Sequence, residues 1–243
     1  FRFIEGTNIH ENYIMTTYKL TYFNVTGLAE GIRFLLHQSG IKFEDKRLTF
    51  EEWPEYKPKM PMGQVPVLEI DGKPYFQSKA ISRLIARRNN LYGSNDVESY
   101  EIDAIVDTLD DLKIGAYRLP FGFEILTNDK ELFRYDPDDF AGFTQYHWEQ
   151  DAAFKAKLKE GAFAKAPTIL SKLEEKVKSN NGYLANGKLS WADLLFTTYT
   201  ELLSNIIGED LNKDYPELKK LVEKVKALPK IKAYLDSRPK TTL

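Results

Sequence analysis

Cysteine does not occur among the 243 residues. Its absence excludes disulfide staples, zinc–thiolate centres and a cysteine nucleophile, so any sulfur chemistry must use a thiol brought in by a substrate. Histidine is scarce, and His10, His37 and His147 stand at no metal-ligand spacing. The chain has no glycine-rich phosphate loop and no nucleophile elbow. No apolar run approaches the roughly eighteen residues of a membrane-spanning helix, and the first residues lack the basic-then-apolar order of a signal peptide. An excess of one charge is missing too. Thirty-four Lys and Arg face 36 Asp and Glu, a formal net charge of −2, with no basic stripe to neutralise phosphates. Neither nucleic acid nor a membrane is therefore expected as a partner, and the expected location is cytosolic.

What the chain does have is apolar mass. At 42% hydrophobic residues it can bury one large core or two modest ones. Residues 1–14 show no period that continues into the strand pattern starting at Tyr18, and Met15 stands directly before Thr16-Thr17-Tyr18, so residues 1–14 read as an extension ahead of a natural start at Met15.

From Tyr18 the pattern predicts a strand to Phe23, a helix from Gly27 to Gln38 with Leu28, Ile32, Leu35 and Leu36 on one face, and a strand from Phe43 to Leu48. Val65 to Ile70, the turn pair Asp71-Gly72 and Lys73 to Phe76 read as an antiparallel hairpin, with Pro74 confining the second strand to a sheet edge. A helix from Ser78 to about Arg88, with Ala80, Ile81, Leu84 and Ile85 buried, completes a βαβ–ββα plan, that of a thioredoxin-like α/β domain over residues 15–92.

Beyond the polar connector Tyr92-Gly93-Ser94-Asn95, strand patterns give way to helical ones, predicting an all-α bundle over residues 98–243. Ile102, Ile105, Val106, Leu109 and Leu112 mark one helix and Ile169, Leu173 and Val177 another. Ser190-Trp191-Ala192-Asp193 reads as a capping box opening a helix whose Leu194, Leu195, Leu202, Leu203 and Ile206 make it apolar nearly all round, hence central. Helices over Pro216 to Ala227 and Lys230 to Asp236 finish the chain. Residues 117–150 form a long, aromatic-rich stretch carrying Phe121, Phe123, Phe133, Tyr135, Phe140, Phe143, Tyr146 and Trp148.

Two stretches carry the chemistry. The first strand ends in the Tyr22 hydroxyl, which can donate to a thiolate; lowering a thiol pKa by about two units amounts to about 2.7 kcal/mol of preferential stabilisation of the anion. The second stretch is Gln64-Val65-Pro66 followed by Gln77-Ser78. A cis Val65–Pro66 bond would turn the Val65 backbone outward to pair with a peptide ligand as an added strand. Gln77, Ser78 and the positive end of the helix suit the ligand's α-amino and α-carboxylate groups. Trp53 and Lys57 lie on the loop facing the same cleft. Asp107, Asp110 and Asp111 share one helix face, which as a rule means a solvated surface. Crowding three carboxylates is otherwise stabilised by a cation, a metal or a neighbouring subunit's basic group.

Taken together, Tyr18-Lys19-Leu20-Thr21-Tyr22-Phe23-Asn24, Glu52-Trp53-Pro54, the run from Pro61 to Glu69, Gln77-Ser78-Lys79-Ala80-Ile81 and Val106-Asp107-Thr108-Leu109-Asp110-Asp111 resemble the sigma class of cytosolic glutathione S-transferases. Gly187 to Asp193 and the closing Ile231 to Pro239 are similar to its arthropod or other invertebrate branch. The resemblance implies glutathione as co-substrate, activated by Tyr22 and held by Trp53, Lys57, Gln64, Val65, Pro66, Gln77 and Ser78. It implies a homodimer in which Asp111 reaches the glutathione of the neighbouring subunit, and a hydrophobic electrophile or lipid hydroperoxide as second substrate. Asp107, Asp110 and Asp111 match interface acids that bind magnesium or calcium in the prostaglandin D synthase of the class; no tightly bound metal is expected here. That synthase has an arginine where this chain has Leu28, which argues against a specialised prostaglandin activity. Residues 117–150 are an insertion relative to the class pattern, expected beside the electrophile pocket. Lens S-crystallins, which share the pattern with extra residues in that connection, make a catalytically weak structural or ligand-binding role the first alternative to a transferase, and a glutathione-dependent prostaglandin D synthase is the second.

Overall fold

The computed structural model describes residues 16–117 and 164–241. The expected extension over residues 1–14 and nearly all of the 117–150 insertion lie outside them.

Strand β1 (Tyr18–Phe23) is central in a four-stranded sheet of order β2-β1-β3-β4, with β2 (Glu44–Leu48) parallel to it, β3 (Val67–Ile70) antiparallel, and β4 (Lys73–Phe76) at the edge. The hairpin turn has positive φ at both Asp71 (51°) and Gly72 (76°), the twist that lets two antiparallel strands close on two residues. Pro74, which has no N–H for a ladder, sits on the edge strand as its chemistry requires. Two strands start later than the apolar pattern suggests. Phe43 packs its ring edge-on to His37 ahead of β2, and the Val65–Pro66 bond is cis, so β3 begins only at Val67.

A single 3₁₀ turn, Gly27–Ala29, leads into α1 (Glu30–Gln38). Every α1 residue from Glu30 to Leu36 is buried, not only the expected stripe, because the helix lies between the sheet and the helical bundle. Gly31 permits that approach: a Cβ there would meet the Leu195 side chain at 2.7 Å. Helix α2 (Trp53–Tyr56) is one turn where a loop was expected, started by Pro54 in its first turn. Helix α3 (Ser78–Arg88) buries Ile81, Ser82, Ile85 and Ala86, while Ala80 is exposed and Leu84 half-buried. The buried stripe is therefore rotated toward the two small residues, which let α3 come close to its neighbours.

The bundle consists, among the described residues, of α4 (Asp96–Tyr117), α5 (Ala166–Ser179), α6 (Trp191–Ile207), α7 (Pro216–Lys226) and α8 (Pro229–Ser237). Ile102, Ile105, Val106, Leu109 and Leu112 are all buried on α4. On α5 the buried stripe is Ala166, Leu170, Leu173 and Val177, with Ile169 at its edge. Helix α6 is the centre, buried at nearly every position to Leu203. Its capping box forms as the sequence implies: Asp193 accepts from the Ser190 N–H (2.7 Å) and hydroxyl (2.9 Å), and also from the Leu184 N–H (2.8 Å). The two halves meet along α1, against α6 and α8, and Lys230 extends from α8 to the Gln38 carbonyl at the end of α1 (3.2 Å).

Candidate functional site

Register alone assembles the centre of the site. Thr21 pairs with Val67 and Val67 with Phe76, so the next residue outward on each strand belongs to one sheet edge: Tyr22 on β1, Pro66 before β3, Gln77 after β4. Three segments far apart in sequence thus converge as expected. Val65 is half-buried, Pro66 buried and Gln64 exposed.

Gln77 has φ 71° and ψ 108°, a backbone conformation that costs a residue with a side chain of order 1–3 kcal/mol and persists only where its surroundings impose it. It precedes Ser78, the first residue of α3, whose first-turn N–H groups lie before the first intrahelical bond, from the Ile81 N–H to the Gln77 carbonyl (2.9 Å). That end is a place for an anion.

Trp53 and Lys57 join the same edge through their neighbours. The Trp53 ring meets Phe23, the residue after Tyr22, edge-on at 5.3 Å between centroids, and Phe23 also stacks on the exposed Phe50 at 5.0 Å. A Cβ on Gly63 would touch the Lys57 stem at 3.6 Å, so the lysine crosses the loop just ahead of Gln64.

Tyr22 itself is 3% exposed, and its hydroxyl accepts a hydrogen bond from the Leu28 N–H at 3.1 Å. Burial pushes the phenol above its ordinary value of 10.0; the Leu28 N–H and the nearby Arg33 charge pull against that. The phenol is therefore protonated throughout the neutral range, with its oxygen already polarised by one donor and its own proton available to a second group. A thiolate set against it receives a charge-assisted hydrogen bond.

Periodicity did not point to Gly27, the Leu28 amide or Arg33 as parts of this site. Gly27 (φ 43°) lies against the phenol, where a Cβ would fall 2.6 Å from the hydroxyl oxygen. Arg33 is wholly buried, with its guanidinium carbon 6.0 Å from the Tyr22 ring centre. An arginine and a glutamate (Glu30) inside an otherwise apolar helix were the available signal.

The acidic face of α4 divides. Lys79, the residue after Ser78, binds Asp107 at 3.1 Å and Asp110 at 2.5 Å, supplying from within the chain a cation to two of the three crowded carboxylates. Asp111, one turn beyond Asp107, is exposed. No cluster of three or more metal-binding side chains forms among the described residues.

A thioredoxin-like α/β half with a tyrosine hydroxyl, a cis-proline loop and a helix N-terminus at one sheet edge, joined to an all-helical half, defines a class of thiol-peptide transferases. The comparisons agree. The sequence model of the glutathione S-transferase N-terminal domain matches residues 18–87 and that of the C-terminal domain residues 138–238. The chain is 41% identical over 221 residues to glutathione S-transferase 2 of Manduca sexta, covering 90% of this chain and 95% of that one. To glutathione S-transferase S1 of Drosophila melanogaster it is 38% identical over 228 residues, covering 94% and 81%. Among solved structures, prostaglandin synthase D of Nilaparvata lugens superposes with a TM-score of 0.75 at 38% identity, covering 93% of this chain and all of that one. The chain belongs to the glutathione S-transferase family. It is a glutathione transferase with glutathione as its co-substrate.

Proposed function

We propose that the chain is a sigma-class transferase of the invertebrate branch, in which Tyr22 holds the glutathione sulfur as thiolate for attack on hydrophobic electrophiles. The observation that carries this reading is the shared sheet edge of Tyr22, Pro66 and Gln77, fixed by the Thr21–Val67 and Val67–Phe76 pairs. Glutathione lies across that edge with its cysteinyl backbone paired to Val65 as an added strand. Its γ-glutamyl end meets Gln77, Ser78 and the α3 N-terminus, with Asp111 of a second subunit completing the amino-group contacts. The glycyl carboxylate extends toward Trp53, Lys57 and Gln64. The exposed Met62, Val97 and Tyr100 support a homodimer, since apolar side chains open to water are covered by such a contact.

In the reaction the thiol proton leaves to solvent and the thiolate, oriented and desolvated, displaces a leaving group or adds to an unsaturated carbonyl. A lipid hydroperoxide is reduced by attack of the same sulfur on its terminal oxygen, releasing the alcohol; a second glutathione then resolves the sulfenate to disulfide and water. The cytosol, where glutathione is held reduced, is the fitting compartment. Leu28 contributes its backbone N–H to Tyr22 but no side-chain charge, which argues against a specialised prostaglandin activity.

The test is the thiol pKa of glutathione bound to the full chain, read from thiolate ultraviolet absorbance. A value about two units below that of free glutathione, returned upward by Tyr22→Phe, is expected. Binding without a shift would overturn the reading in favour of a structural or ligand-binding protein of the S-crystallin kind. Conjugation and hydroperoxide-reduction rates over a lipid-derived panel then rank the second substrates.

A further inference from the structure

The Leu28 amide that polarises Tyr22 is positioned by a buried ionic network that runs into the last described residues of the chain. Arg33 Nη1 donates to the carbonyls of Val25 (2.9 Å) and Thr26 (3.4 Å), the two residues before Gly27 and Leu28. The same nitrogen donates to Glu30 (3.1 Å), and Nε bridges both oxygens of Asp45 at 3.2 Å. Its Nη2 is buried with no hydrogen-bond partner among the described residues.

Glu30 is 2% exposed and more than shared. Besides Arg33 it accepts from the Tyr234 hydroxyl (3.0 and 3.1 Å) and from Arg238 Nη1 (2.7 Å), both brought by α8 and the residue after it. The other Arg238 nitrogen binds Glu201 on α6, and Lys226 on α7 binds the second Glu201 oxygen at 2.6 Å. Coulomb's law in a dry interior has two effects here. Arg238 takes up Glu30 charge that would otherwise cancel Arg33, and Glu30, held from both sides, fixes Arg33 on the two carbonyls.

We propose that Arg33, Glu30, Tyr234 and Arg238 act as one positioning unit for Tyr22, so that the C-terminal segment sets how strongly the site stabilises the glutathione thiolate. The inference rests on the proposed role of Tyr22 as the group that holds the thiolate. The remaining ionisable groups around the unit, among the described residues, are Asp45 and Arg47 from β2, His37 stacked on Tyr234 at 4.2 Å, and Tyr199 of α6 on the Tyr22 side. None of them is altered in the test.

Arg238→Met and Tyr234→Phe are the informative variants, because Arg33 and Glu30 are buried deeply enough for their replacement to unfold the chain. In both, the thiol pKa of bound glutathione should rise by about half a unit to one unit, with the glutathione Kd changed less than threefold. The kcat/KM for a small electrophile should fall by about three- to tenfold at pH 6.5 and recover at pH 9, and Arg238→Lys should regain part of the shift. A contact that merely stabilises the fold would lower the melting temperature and depress activity equally at every pH. Unmoved thiol pKa values in both variants would overturn the inference while Tyr22→Phe still shifts the thiol. Failure of Tyr22→Phe to shift it would bring down the underlying reading, and the inference with it.

Discussion

Gly27 and the Tyr22 hydroxyl occupy space that a single added carbon would close: a Cβ on Gly27 would lie 2.6 Å from the phenol oxygen, at a backbone φ of 43° that glycine adopts without cost. Gly27→Ala must displace either the phenol or the turn that presents the Leu28 N–H. A loss in kcat/KM of about thirtyfold is expected, together with an upward shift in the bound thiol pKa and retained glutathione binding. Thiolate absorbance and isothermal titration on the same samples check it.

Asp193 satisfies three buried donors at once, the Ser190 N–H and hydroxyl and the Leu184 N–H, at a position with no exposure. Asp193→Ala leaves all three without an acceptor inside the bundle. The expected cost is about 3 kcal/mol or more in urea unfolding, larger than that of an exposed helix cap.

Glu98 holds the connector to the bundle: the Ser94 hydroxyl and N–H and the Lys188 ammonium lower its carboxyl from an ordinary 4.5 to about 2. A depressed carboxyl stabilises the fold above the unfolded-state pKa and loses that contribution as pH falls through the folded one. The stability difference between the native chain and Glu98→Gln should therefore be constant above about pH 5.5 and shrink from there toward pH 2. Urea unfolding across that range tests the sign.

Lys79 stands where a divalent cation would otherwise be needed, between Asp107 and Asp110. Lys79→Met should lower the melting temperature, and millimolar magnesium should restore about 2 °C or more of the loss while leaving the native chain unchanged. Equal responses of the two proteins to magnesium would contradict the assignment of the lysine as the resident cation.

Much of this was legible in the sequence because it is local. Asp71-Gly72 fixes its hairpin, Ser190 and Asp193 start their helix, and the Val65–Pro66 and Gln77-Ser78 pairs lie where strand ends must meet. The rest depends on contacts between distant segments. The helix pattern assigns Arg33 and Glu30 no role, yet both are buried, because their partners Asp45, Tyr234 and Arg238 arrive from β2, from α8 and from the residue after it. Ala80 looks like core and is exposed, since Ser82 and Ala86 offer the bundle a flatter face. Asp107 and Asp110 reveal no cation until α3 places Lys79 over them.

Glu30 waits for Tyr234 and Arg238, 204 and 208 residues further along. During synthesis α1 is made long before α8, so its carboxylate lacks two of its three polar partners until Tyr234 and Arg238 follow. A chain that stops short of α8 must bury that carboxylate undercompensated or leave α1 open to water. The packing of α1 is thereby tied to the presence of α8, and a copy cut before α8 is expected to open the apolar flank of α1 to water.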